Sequence, residues 1–372
     1  MALESTIRQL AKEHGTPVML IEKDLLMRQF NIFTRKLPNI TPYYAIKSNP
    51  HPDIIKTFLE TGAGMDVASG KEIEWVLDAG ATPDKIIFAN PIKSEKDLKF
   101  AYENNITLMT FDSESELYKI AKHAPKSKVI LRIRVANIGS VVELSRKFGA
   151  DIEQACLLLK KAKKLGLIPE GISFHVGSQC ANTSNYSNAL KVAYNIFEDM
   201  EDKGIQLKIL DIGGGFPIKH FEDDYIPPFD DITTCIKHEI SKLFRKMEHV
   251  EFIAEPGRFF CGPAGTLITS VVGRTFRDNK NYYFLDDGIY QDFSGIIFDH
   301  CQYEFKTLKR GQKFLSTVAG PTCDSLDVLS LNEELPELNI GDVVYIKNIG
   351  AYSCASATPA FNGFSPAKII VI

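Results

Sequence analysis

Between about residue 40 and residue 260 the chain switches eight times between a short β-rich run and a longer amphipathic stretch, and this alternation narrows its possible folds. The β-rich runs are Tyr43–Lys47, Gly64–Ala68, Ile86–Asn90, Thr107–Phe111, Val129–Val135, Gly171–Gly177, Ile209–Gly214 and Val250–Gly257. Several are almost continuously apolar, as parallel strands buried on both faces must be. The intervening stretches carry helix signals. Ser69-Gly70-Lys71-Glu72 reads as a capping box with Gly80 as a stop, and Ile73, Val76 and Leu77 make an apolar face. Ser113-x-x-Glu116 repeats the device. Asp151 to Leu165 places Ile152, Ala155, Leu158, Leu159 and Ala162 on one stripe before Gly166, and Leu26, Phe30, Phe33 and Leu37 keep helical spacing ahead of the first run. Strand and helix repeated eight times predict an α/β fold, a (β/α)8 TIM barrel. An open doubly wound sheet would want G-x-G-x-x-G after its first strand, and that motif is missing.

A chain of 372 residues exceeds what one core usually supports. After residue 262 the texture changes to β-rich runs, Leu267–Thr275, Tyr282–Leu285, Lys313–Ala319, Val343–Ile346 and Ala367–Ile372, separated by Gly, Pro, Asn and Asp. The expected division is therefore a barrel over 22–262 and a β-sheet domain made of 1–21 plus 263–372, the latter taking the otherwise unpaired run Pro17–Ile21.

Charge narrows the partners. Lys and Arg number 43 against 47 Asp and Glu, a net −4, so no basic excess is available to neutralise a nucleic-acid backbone. The polar start, with Glu4, is not a secretory signal, and no apolar run approaches the ~20 residues that span a bilayer. The 7 cysteines are scattered without a C-x-x-C pair, which argues against a zinc site or redox motif and fits a reducing cytoplasm.

Barrel enzymes carry their chemistry at the C-terminal ends of the strands. Here those ends present Lys47, Asp66, Arg132, His175 with Ser178, Gly213-Gly214-Gly215, and Glu255-Pro256-Gly257-Arg258. Each has a plain reading: a solvated lysine, a structural Asp66–Arg132 ion pair, a satisfied core histidine, a tight glycine turn. Against this, a lysine desolvated in a barrel mouth becomes an amine fit for a Schiff base. Glycines after strands seven and eight, with an arginine, are what a barrel uses to hold phosphate. Amine and phosphate cradle together suggest pyridoxal 5'-phosphate, with Glu255 as partner of the pyridine nitrogen.

The blocks Tyr44-Ala45-Ile46-Lys47-Ser48-Asn49, Phe174-His175-Val176-Gly177-Ser178, Asp211-Ile212-Gly213-Gly214-Gly215-Phe216, Glu255-Pro256-Gly257-Arg258, Gly320-Pro321-Thr322-Cys323-Asp324-Ser325-Leu326-Asp327 and Gly350-Ala351-Tyr352 closely resemble the fold-type III pyridoxal-phosphate-dependent amino-acid decarboxylases. Within that family they resemble the ornithine decarboxylase group, including its short bacterial lysine/ornithine members. The resemblance spans nearly the whole chain and implies the following roles. Lys47 is the Schiff-base lysine, His175 stacks on the cofactor ring and Glu255 meets the pyridine nitrogen. Ser178, Gly214, Gly215, Pro256, Gly257, Arg258 and Tyr352 form the cofactor and phosphate shell, and Asp66 and Arg132 are the supporting ion pair. Cys323 is the acid that protonates the product carbon. Phe298, Asp299, Cys323 and Asp324 form the wall that receives the distal ammonium of the substrate. A homodimer with shared active sites is implied, the Cys323 loop entering the partner's site. One departure is visible: Tyr352 to Phe361 is one residue longer than the family pattern.

The implied reaction is decarboxylation of ornithine or lysine to putrescine or cadaverine for polyamine synthesis. Two carboxylates, Asp299 and Asp324, suit a cationic side-chain end. The diaminopimelate branch carries C-E where this chain has Cys323-Asp324, and the viral arginine branch carries Glu where it has Asp299. One methylene separates ornithine from lysine, worth only ~1–3 kcal/mol in a pocket. A non-catalytic regulator of the same fold would have lost cofactor contacts that this chain keeps, and the Cys323-Asp324 loop argues against a racemase.

Overall fold

All eight β-rich runs become strands of one closed parallel barrel in a computed structural model, which describes residues 2–142 and 144–372. The strands are Ile40–Ala45, Gly64–Val67, Ile86–Phe88, Leu108–Phe111, Lys128–Arg132, Ile168–Ser173, Ile209–Asp211 and Glu251–Ala254. Closure comes from the eighth strand pairing with the first, Phe252 opposite Ile40. Ile87, Ala89, Ile130, Ile209 and Ile253 pack into one buried cluster joined by Tyr43 and Leu108. The N-terminal spacing of Leu26, Phe30 and Phe33 resolves as the helix Lys23–Lys36. Phe33 is fully buried among the rings of Phe216, Phe229, Phe259 and Phe260, with centroids 5.2–6.2 Å away. Burial of one such ring contributes about 1.5–3 kcal/mol.

The caps form as the spacing predicts, with two revisions. Ser69 Oγ accepts the Glu72 N–H at 3.2 Å and starts the helix Gly70–Asp78, but the Glu72 carboxylate accepts from Ala68 N–H at 2.6 Å, one residue before the cap. Ser113 Oγ accepts the Glu116 N–H at 3.4 Å, yet Glu116 turns inward to a fully buried lysine, Lys93, at 3.1 Å and to Lys119 at 2.7 Å. Lys93 Nζ also donates to the Asn90 and Thr110 carbonyls at 2.9 and 2.6 Å, tying the loop after strand three to strand four and the helix that follows it. Burial pulls Lys93 down to about 8, with Glu116 pushing the other way. In the 151–165 stretch only Ala155–Lys164 is α-helical. Ile152 lies in a preceding 3-10 turn and is exposed, off the buried stripe.

The second unit is a mixed sheet in the order Lys306–Thr307, Val343–Lys347, Gly265–Arg277, Lys280–Leu285, Lys313–Ala319 and Val328–Pro336. The five β-rich runs expected after residue 262 are all strands here. The strand Val328–Pro336 carries Asn332, Glu333 and Glu334 on an outer edge, which hid it from the sequence pattern. Val18–Ile21 pairs antiparallel with Gly265–Ile268 and parallel with Lys368–Val371, so the N-terminal run belongs to this sheet. By contacts the chain divides into residues 27–217 with 226–260, and residues 1–26 with 218–225 and 261–372. No helix among the described residues is long and apolar enough to cross a membrane.

Candidate active site

Several barrel strands end by handing a polar side chain to the same rim, because a parallel strand buried on both faces keeps polar groups mainly where it stops. Lys47 does not lie on the first strand itself. It follows it in the 3-10 turn Ile46–Ser48, and its ammonium forms an ion pair with Asp66 at the end of strand two. Asp66 is therefore joined to Lys47; among the described residues it forms no ion pair with Arg132, which corrects the expected Asp66–Arg132 pair. Arg132 ends strand five, and its guanidinium lies 5.5 Å from the Phe148 ring centroid. Burial lowers it, while Glu255, Asp112, Asp211 and Asp66 act in the opposite direction.

His175 follows strand six. The Gly177 N–H donates to its Nδ1 at 3.0 Å, so a neutral ring carries its proton on Nε2. Burial, then the positive charges of Arg132 and Lys47, hold this imidazole well below the ordinary histidine range. A flat, neutral ring results at neutral pH.

The glycine triplet lies where side chains cannot. Gly213 and Gly215 adopt φ of +65° and +92°. A Cβ on Gly214 would sit 2.7 Å from the Glu255 carbonyl oxygen and 3.2 Å from His175 Nε2. The triplet's carbonyls are all engaged: Gly213 by the Glu255 N–H at 2.8 Å, Gly214 by the Tyr186 hydroxyl at 3.1 Å, Gly215 by the Cys180 N–H at 2.9 Å. The N–H groups of Gly214 and Gly215 have no partner among the described residues. Ser178 opens the short strand Ser178–Cys180, which pairs with Ser140–Val142. Pro256 accepts the Ala45 N–H at 3.2 Å, Gly257 packs so closely that a Cβ would lie 2.9 Å from Ser48 Cβ, and Arg258 is buried.

Two carboxyls sit deeper, and sequence reading missed one of them. Asp211 ends strand seven fully buried; its Oδ1 accepts the Gly213 N–H at 2.8 Å. Burial is the main cause that raises it to about 6. Glu255 is pushed well above the carboxylate range by burial first and then by the charges of Asp211 and Asp66. Glu72, read from sequence only as a cap, is raised to about 7, by burial first and also by Asp66. Nothing but its position two residues before the glycines marked Asp211 in the sequence.

These residues fit pyridoxal phosphate on their own geometry. Asp66, Asp211 and Glu255, with Glu72 behind Asp66, crowd buried carboxyls around two cations, Lys47 and Arg132; Asp211 and Glu255 hydrogen-bond to each other, and Asp66 Oδ1 is buried without a hydrogen-bond partner. A ring with a cationic nitrogen answers that crowding of carboxyls. Two glycine N–H groups and the unobstructed triplet suit its phosphate.

A family profile described as "Pyridoxal-dependent decarboxylase, pyridoxal binding domain" matches residues 23–262. The chain belongs to the pyridoxal-dependent decarboxylases. It is 40% identical to the lysine/ornithine decarboxylase of Selenomonas ruminantium, over 99% of this chain and 92% of that one. Two structures of a lysine/ornithine decarboxylase from Vibrio vulnificus, one with putrescine and one with cadaverine, superpose with TM-scores of 0.92 and 0.93 at 36% identity. They cover 99% of this chain and 97% and 98% of their own. The barrel of this decarboxylase is thus its pyridoxal-binding domain.

The sheet unit of the decarboxylase carries the remaining predicted residues. Cys323 is exposed on the loop Gly320–Asp327. Asp327, buried, accepts from Thr322 N–H and Oγ1 at 3.0 and 2.7 Å and from Ile289 N–H at 3.0 Å, fixing the loop base. Asp324 accepts from the Leu326 N–H at 2.9 Å and from the Tyr290 hydroxyl, and the backbone bond, then Tyr290, holds its carboxyl below the usual range. Phe298 ends the turn Gly295–Phe298 and is 58% exposed, with Asp299 beside it. Tyr352 adopts a left-handed φ of +52°. Phe361 stacks on Tyr290 at 4.0 Å.

Proposed function

We propose that the protein decarboxylates ornithine and lysine to putrescine and cadaverine, acting as a cytoplasmic homodimer whose two active sites each draw on both chains. The observation that carries this reading is a lysine paired to a buried aspartate in a barrel mouth crowded with buried carboxyls. Pyridoxal phosphate, when bound, supplies the electron sink that lets the bond between the α-carbon and its carboxylate break. Lys47 would hold it covalently, released from Asp66 when the amine gives up its charge. His175, neutral, would lie against the ring. Glu255 would keep the ring nitrogen protonated, with Asp211 orienting it from behind. Gly214, Gly215, Ser178, Gly257, Arg258 and Tyr352 would hold the phosphate, and Arg132 would balance the carboxyl cluster.

Asp299 and Asp324 would receive the distal ammonium of the substrate, with Phe298 covering the aliphatic stem. Cys323 would deliver a proton to the former α-carbon. The Selenomonas relative's name and the Vibrio product complexes support the choice of lysine and ornithine over arginine and diaminopimelate.

Incubation with ornithine, lysine, arginine and diaminopimelate, with quantification of the amines formed, tests the substrate. Putrescine and cadaverine are expected; agmatine as the main product, or no diamine from either substrate, overturns the reading. Mixing inactive Lys47→Ala chains with inactive Cys323→Ala chains should restore part of the activity through mixed dimers. Subunit exchange without recovery would sink the shared site.

A further inference from the structure

The Cys323 loop is clamped on both sides of the cysteine. Ahead of it, Thr322 is bound by Asp327 through main chain and hydroxyl. Behind it, Asp324 is bound by Leu326 and Tyr290. The amide of Cys323 itself meets a residue far along the chain: its N–H donates to Asn362 Oδ1 at 3.0 Å.

Asn362 sits in a tight turn with a conformation that has to be maintained. Ala360 and Asn362 adopt φ of +69° and +50°, and Gly363 +80°. Non-glycine residues are disfavoured in the left-handed region, asparagine less than alanine. The turn is closed by Gly363 N–H on the Ala360 carbonyl at 2.9 Å and Phe364 N–H on the Phe361 carbonyl at 3.1 Å. It is also seated on Tyr290, through the Phe361 ring and through the Thr358 N–H at 2.8 Å to the Tyr290 carbonyl. An exposed hydrogen bond between two loops adds little net stability, too little to account for such a turn. Strain of this kind persists where the surroundings impose a geometry, and the geometry imposed here is that of the Cys323 main chain.

We propose that Asn362 is the positioning residue of the acid thiol, fixing the Cys323 backbone so that its side chain addresses the substrate carbon. This rests on the reading of Cys323 as the proton donor. After carbon dioxide leaves, the bonding electron pair accepts a proton. From a correctly aimed thiol that proton goes to the former α-carbon, leaving a thiolate that water reprotonates. When the thiol is misaimed, the proton goes to the cofactor's own carbon instead. Addition of water then yields an amino-aldehyde and pyridoxamine phosphate, with the same one carbon dioxide lost. Asn362 controls which carbon is protonated rather than whether the carboxylate leaves.

The test compares Asn362→Gly with Asn362→Asp in the cofactor-loaded enzyme. Glycine suits the left-handed turn and removes the acceptor; aspartate keeps an acceptor oxygen. Two quantities are read: amino-aldehyde formed per carbon dioxide released, and the rate at which iodoacetamide alkylates Cys323, followed on its peptide by mass spectrometry. Misplacement by about 1 Å can cost up to ~100-fold, so the aldehyde fraction should rise at least ~tenfold in Asn362→Gly. Its Cys323 alkylation rate should change several-fold, and Asn362→Asp should match the parent in both. If Asn362→Gly does not fold, Asn362→Ser, whose short hydroxyl falls away from the Cys323 amide, replaces it in the same comparison. Clean product and unchanged alkylation in the acceptor-less variant overturn the proposal, provided Cys323→Ala gives aldehyde. If Cys323→Ala itself gives clean diamine, the acid reading has failed and the positioning role falls with it.

Discussion

Replacing Asp211 by Asn should make the cofactor-free protein more stable at neutral pH, although it removes a buried acid beside the active site. Asp211 is fully buried and its carboxyl is raised from 3.8 to about 6. In the unfolded chain it releases its proton near 3.8, whereas in the folded chain it holds it to about 6. Between those values the folded state binds more protons, so stability falls as pH rises and stays reduced above 6. A shift of roughly 2 units at about 1.4 kcal/mol each sets the penalty at about 3 kcal/mol. Asparagine cannot ionise, and its Oδ1 can still accept the Gly213 N–H that Asp211 accepts at 2.8 Å. Urea midpoints of the cofactor-free proteins, taken from about pH 4.5 to about pH 7.5, measure the difference. The variant's lead should widen up to about pH 6 and then hold level, at up to about 3 kcal/mol. Loading pyridoxal phosphate should shrink the gap, since a cationic ring nitrogen favours the ionised acid. A variant no more stable than the parent at pH 7, or a gap that does not change with pH, would refute the burial penalty read at Asp211.

Lys47→Ala should abolish covalent retention of the cofactor: borohydride should fix pyridoxal phosphate to the peptide containing Lys47 in the parent and nowhere in the variant. Gly215→Ala forces a side chain onto a φ of +92° and into the Gly177 carbonyl. It should cost at least ~1–2 kcal/mol and weaken cofactor retention on dialysis; parental retention would show that the triplet is only a turn. Lys93→Met removes the donor that serves Asn90, Thr110 and Glu116, and should lower stability by about 3–5 kcal/mol, read from urea midpoints. Asp324→Ala should reduce kcat/KM for ornithine and for lysine by ~2–5 kcal/mol of transition-state binding, and unaltered kinetics on both would remove it from the pocket.

The barrel was legible because burial on both faces makes a parallel strand an apolar run, and all eight runs were strands. The rim was legible because a polar residue ending such a run has few structural reasons to be there. Lys47 was located correctly at the rim, but its partner was not: the ion pair expected between Asp66 and Arg132 joins Asp66 to Lys47. Pairing among three carboxyls and two cations depends on distances that linear order does not encode. Asp211 escaped notice for the same reason that Asp66 was noticed: both end strands, but Asp211 is followed by glycines that claimed the attention. Glu116 looked like half of a capping box because the sequence cannot show a lysine buried 23 residues away. Asn362 was invisible, since its link to Cys323 joins two turns 39 residues apart.

The strand Val18–Ile21 has a consequence for how the chain is made. Its parallel partner begins at Lys368, 350 residues later. At ~5–20 residues per second, a ribosome needs roughly 20–70 s to supply that partner. All the barrel strands are synthesised within this interval, and local strand–helix units can assemble as they emerge. Val18, Met19, Leu20 and Ile21, which end fully or almost fully buried, wait with one edge open until Lys368–Val371 is made, and with both open until Gly265–Ile268 is made. Such a segment is a template for pairing with another chain. Slower translation, or a crowd of nascent copies on one message, should therefore lengthen the time in which this strand can pair with the wrong chain.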